Sequence, residues 1–264
     1  MVEITKAVAE KVLETVDAGL CRGLGAPVPG QMCVEAAVCF ALGLPHSDEP
    51  SCVSPALRAF KIELNDAAWS SNEARAKGLR RLALIQLGSA GHLDDNQFAR
   101  RLVELAIRKA VPAAFRSAAA IQKDTTHKSA LLHRADICEC EGTCLAALTA
   151  KTVASDAADA AYAAACAACA ADAADADACA CAAAYAYTAA CAACAAAAYA
   201  YAAYAAACAA CAADAADAAA CAAHASKTVA RDTLLSEFAE AVVQLLIEMD
   251  VPGKQWLELA PLES

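Results

Sequence analysis

The chain has 264 residues, with 31 acidic against 21 basic side chains and a formal net charge of −10. That length suits one large or two ordinary domains, and the negative balance excludes phosphate-backbone binding, so no nucleic-acid partner is expected. Alanine carries the 60% hydrophobic content, no run reaches ~18 strongly apolar residues, and no membrane partner is expected either.

The N-terminal stretch MVEITKAVAEKVLETV alternates charged and apolar residues at helical spacing and lacks the unbroken apolar core of a signal peptide. A cytoplasmic location is the expectation, and with it reduced thiols for the 16 cysteines. Residues 1–150 read as a helical head of short helices joined by punctuated turns. LGAPVPGQ (24–31) is a loop, and MCVEAAVCFALG (32–43) a helix ending at Gly43. Ser54 caps a helix whose first position is Pro55, where the missing N–H has no helical use. SSNE (70–73) has the form of a capping box, with Ser70 as cap, and Asp94 with Gln97 repeats the device. Phe98, Leu102 and Leu105 make an apolar stripe, and Pro112 closes or kinks their helix. The best period-2 candidate for a strand is FKIEL (60–64).

No Gly or Pro occurs between Gly142 and Pro252, and 47 of residues 154–226 are alanine. Alanine has the highest helix propensity, so residues 151–227 are expected to form a long helical arm. All six tyrosines lie in it, with seven aspartates and no basic residue in 154–226. A C-terminal amphipathic helix follows in 228–264, carrying Leu235, Phe238, Val242, Leu245 and Leu246 on one face. The fold class is therefore all-α: a head completed by the C-terminal helix, with the arm inserted between them. As one continuous helix, residues 154–226 would form a rod of roughly 110 Å. As a hairpin, the arm would turn near residues 185–195 and return the apolar tail to the head.

YAAACAACAADAADADAC (162–179) recurs as YAAACAACAADAADAAAC (204–221), differing at Asp177 and Ala219 across an offset of 42 residues. Forty-two is six heptads, the register of a coiled-coil-like pairing, although duplication of a low-complexity stretch produces the same pattern. Cys166/Cys169, Cys191/Cys194 and Cys208/Cys211 are CxxC pairs, and Cys221/His224 is CxxH. On a helix each pair puts two soft ligands on one face, where Cu(I) or Zn(II) could bind with ligands from another helix. CECEGTC (Cys138, Cys140, Cys144) is a second dense cluster, and Cys33, Cys39 and Cys52 lie near His46 in the sequence, a conceivable nucleophile–base set. No P-loop, GxSxG, HExxH or dinucleotide fingerprint is present.

The stretch VPGQMCVEAAVCFALGLPHSDEPSCVSPALRAFKIELNDAAWSSNEARAKGLRRLALIQLGS (28–89) resembles a recurrent module of uncharacterised bacterial proteins. In these the module is similarly followed by an Ala-Ala-x segment and a helix like EFAEAVVQLLIEMDVPGKQWLEL (237–259). The resemblance implies that head, arm and tail form one unit, and it carries no activity to transfer. The expected function is that of a non-enzymatic interaction or scaffolding protein, whose arm pairs with itself or with a protein partner. The alternative is a cysteine-rich Cu(I)- or Zn-binding protein.

Overall fold

The computed structural model describes residues 3–167, 188–189, 212–213, 216–218, 221 and 231–262. Among them the secondary structure is helical, with no strand and a single isolated bridge between Gly25 and Met32. The helices are α1 (Lys6–Asp17), α2 (Val34–Ala41), α3 (Pro55–Asp66), α4 (Asn72–Ile85), α5 (Asp95–Ile121), α6 (Thr125–Glu141), α7 (Cys144–Ala167) and α8 (Arg231–Glu248). A 3₁₀ helix, Pro252–Leu259, follows α8.

Local chemistry sets most of the helix starts. Ser54 Oγ accepts from Leu57 N–H with Pro55 at the first position, and Asp94 accepts from Asn96 and Gln97. The cap of α4 is Ser71 rather than Ser70: Ser71 Oγ accepts from Ala74 N–H at 3.1 Å. Ser70 is taken by a tertiary contact instead, its N–H donating to Asp232 at 2.9 Å. FKIEL is not a strand but the interior of α3, where Phe60 and Leu64 fall on one buried face at helical spacing. Pro112 does not end α5, which runs on to Ile121. Phe115, Ala118 and Ala119 beyond it are buried, and that packing outweighs the one backbone hydrogen bond a proline removes.

One apolar cluster joins all these helices. The greatest packing of α8 is on α4, with a second contact to α5, and Phe60 of α3 meets Phe238 of α8 with ring centroids 6.2 Å apart. Arg81 of α4 pairs with Glu240 of α8 at 2.9 Å. Trp69 folds over Gly78: a Cβ there would stand 2.3 Å from the ring, so only glycine lets the indole reach the core. Its Nε1–H donates to Leu64 O at 2.8 Å.

The root of the alanine-rich arm belongs to the same body. Helix α7 packs on α6 and α5, and Ala147, Ala150, Ala154 and Ala157 are fully buried. Asp217 is on the head as well, accepting from Ala68 N–H at 2.9 Å. Sixty residues of straight helix would separate Ala157 from Asp217 by about 90 Å, whereas a head of residues 1–150 has a radius of gyration near 15 Å. The single straight rod is therefore excluded, because both ends of the stretch meet one head. The expected turn at 185–195 lies outside the described residues, apart from the helical residues 188–189.

Candidate functional site

The chain leaves the helical conformation at Ala67, so the backbone N–H and C=O of Ala68 have no helical partners and need others. Both come from the far end of the sequence. Asp217 Oδ1 takes the N–H at 2.9 Å, and Arg231 Nη1 donates to the C=O at 2.9 Å. Asp232, in the first turn of α8, accepts from both the N–H and the hydroxyl of Ser70, a placement that also suits the positive end of the helix dipole. Four polar groups of Ala68 and Ser70 in the α3–α4 turn are thus gripped by three charged side chains, Asp217, Arg231 and Asp232. Beside this clamp, Ala216 borders a cavity of about 340 Å³ shared with Arg108, Pro112, Arg116, Leu234 and Phe238.

A second constellation lies between α2 and α3. Glu35 and Lys61 are both fully buried, with Oε1 and Nζ 2.9 Å apart. Burial pushes the Glu35 carboxyl up and the Lys61 ammonium down, and each partner opposes the other's shift. Three thiols surround them. Cys33 caps α2, its Sγ accepting from Ala36 N–H at 3.3 Å, and Cys39 and Cys52 are buried nearby. Burial raises Cys33 and Cys39 to about 11, with the Glu35 carboxylate adding to the rise, and burial raises Cys52 as well. These are neutral thiols near pH 7, not activated nucleophiles. His46, a conceivable base for these thiols, has its Nε2 3.1 Å from the Gly25 carbonyl oxygen.

Of the eight residues considered as soft-metal ligands, only Cys166 and Cys221 fall among the described residues. Cys166 is placed within α7, and Cys221 is helical and half-buried. Cys169, Cys191, Cys194, Cys208, Cys211 and His224 lie outside the described residues. The CECEGTC cluster divides: Cys138 is buried against the core while Cys140 is exposed. Its loop is held by Arg108, whose guanidinium donates to the carbonyls of Glu139 at 2.8 Å and Glu141 at 2.9 Å, capping α6 before Gly142. Among the described residues no group of three or more His, Cys, Asp or Glu side chains is arranged to hold a metal ion. No helix among them is long and apolar enough to cross a membrane.

Sequence reading missed the two pairings that organise these sites. Glu35 was legible as an oddity, a carboxylate inside the apolar run MCVEAAVCFALG, and an acid there calls for a buried cation. Nothing near Asp217 or Arg231 in sequence points to Ala68, because the contacts span 149 and 163 residues. No protein-family model, curated protein or solved structure matches this chain.

Proposed function

We propose that this is a non-enzymatic interaction protein that associates with further copies of itself through its alanine-rich arm. The observation that carries this reading is the clamp on Ala68. It anchors the arm's far end to the same head from which α7 departs, so the intervening stretch is tethered at both ends. A tethered stretch loses less freedom when it pairs with another helix than a free tail would. The heptad-multiple spacing of the marked residues and the small side chains suit close helix pairing. The neutral, buried thiols of the head support a packing role for Cys33, Cys39 and Cys52.

Sedimentation velocity of the full chain over a wide concentration range tests it. The expected result is a mass above one chain that grows with concentration and falls back in Tyr199→Asp/Tyr201→Asp. A one-chain mass at every concentration overturns the reading.

A further inference from the structure

A cavity of about 220 Å³ lies where the chain's first residues, the turn at 51–52, the turn at 87–92 and the 3₁₀ helix meet. Ile4, Leu87, Pro252 and Trp256 form its apolar walls. Local contacts hold these walls apart. The Cys52 carbonyl accepts from Ala90 N–H at 3.1 Å, and Ser89 Oγ accepts from Ser54 N–H at 2.9 Å, fastening one turn to the other. Gly253 lets the 3₁₀ helix rest on the end of α4, where a Cβ would stand 2.1 Å from Ile85 O. Filling the space from any side would break one of these contacts, so the cavity is preformed.

The lining holds no Asp, Glu, Lys or Arg, and its titratable groups are the neutral Cys52 thiol and the His92 imidazole. An ion placed there would give up its hydration without a charged partner, so the site suits an uncharged molecule. Trp256 adds direction. Its Nε1–H is buried and meets no acceptor among the described residues, whereas that of Trp69, the other tryptophan, donates to Leu64 O at 2.8 Å. A buried indole N–H ordinarily has a partner, and a carbonyl on a molecule held against this wall is the acceptor it lacks. A cavity of about 150 Å³ admits benzene, so this one has room for a ring with one short substituent. We propose that the cavity binds a small uncharged aromatic amide or ketone, its ring against Ile4, Leu87 and Pro252 and its carbonyl oxygen accepting from Trp256 Nε1–H. This site goes beyond self-association, since none of its lining residues belongs to the arm.

The test titrates benzamide, toluene and benzamidinium into the full-length chain, following the indole Nε1–H resonances of Trp69 and Trp256 by NMR. Benzamide is expected to move the Trp256 resonance downfield and to leave that of Trp69 in place. Toluene, which has the ring without the acceptor, binds several-fold more weakly, and benzamidinium, which carries a charge, does not bind. Trp256→Phe keeps the wall and removes the donor; it lowers benzamide affinity by about fivefold, the net worth of one hydrogen bond, and leaves toluene affinity unchanged. Ala90→Leu narrows the cavity from its lining and weakens benzamide and toluene alike, and an unmoved Trp69 resonance in each variant shows that the head is folded. A Trp256 resonance that benzamide does not move overturns the proposal. So does toluene or benzamidinium binding as tightly as benzamide.

Discussion

Lys61 Nζ lies 2.9 Å from Glu35 Oε1 in a site where neither side chain has any exposed surface. The ammonium is in close contact with one carboxylate oxygen, and no described donor satisfies the other, Glu35 Oε2. Such a pair binds α2 to α3 through one short charged contact. Its desolvation penalty is of the same order as its Coulombic gain, so each member depends on the other.

Removing one partner should thus cost far more than removing both. Lys61→Met leaves a buried carboxylate uncompensated, with an expected loss of about 3–5 kcal/mol. Glu35→Leu/Lys61→Met should recover most of that loss. Urea unfolding of the four members of this double-mutant cycle measures it, and strictly additive losses would show that the two residues do not act as a pair.

The same substitution gives stability a pH dependence of known sign. Burial already holds Glu35 above the usual carboxylate range while Lys61 pulls it down, so Lys61→Met raises it further. A group whose folded value is raised contributes its stability fully below the unfolded value, ~4.3 for glutamate. That contribution is lost as pH climbs toward the folded value. Thermal melts of Lys61→Met should show stability falling as pH rises above ~4.3, a slope that Glu35→Gln/Lys61→Met abolishes.

Gly78 is required by Trp69. In Gly78→Ala the new methyl would stand 2.3 and 2.5 Å from two ring carbons and 2.8 Å from Ser236 Oγ. The ring is wedged between α3 and α4, so relief requires repacking at an expected cost of about 1–3 kcal/mol. The better helix propensity of alanine offsets less than ~1 kcal/mol of that. A midpoint in urea at or above that of the native chain would contradict the wedge.

Cys33 is a helix cap in thiol form. Cys33→Ala removes the acceptor for Ala36 N–H and should cost about 1 kcal/mol, whereas Cys33→Ser keeps it. Unfolding midpoints of the two variants should separate in that order. Equal midpoints would assign Cys33 to packing only.

Thiol accessibility and metal content discriminate the two functional readings. Exposed Cys140 should react rapidly with a thiol reagent in the folded chain. Cys33, Cys39, Cys52 and Cys138, buried, should react only on unfolding. Protein purified under reducing conditions and exposed to Cu(I) or Zn(II) is expected to hold less than one tightly bound ion per chain. Several ions per chain, lost when Cys166, Cys169, Cys208 and Cys211 become serine, would move the assignment to a soft-metal protein.

The amino-acid sequence alone determined the helical class and many of the helix starts. Alanine propensity, Ser54 before Pro55, Asp94 before Asn96 and Gln97, and the left-handed Gly142 closing α6 act within one turn of chain, and local residues suffice to encode them. Where a local signal had two solutions, tertiary structure chose. Ser71 rather than Ser70 caps α4 because Asp232 holds Ser70, FKIEL is helical because its buried face is completed by α3 as a whole, and α5 passes Pro112 because the helix beyond it is buried. The pairing of Glu35 with Lys61, and of Asp217 and Arg231 with Ala68, was decided by the fold only. Those partners are brought together by burial of apolar surface elsewhere, and a charged side chain carries in its own sequence neighbourhood no record of the group it will meet across the core.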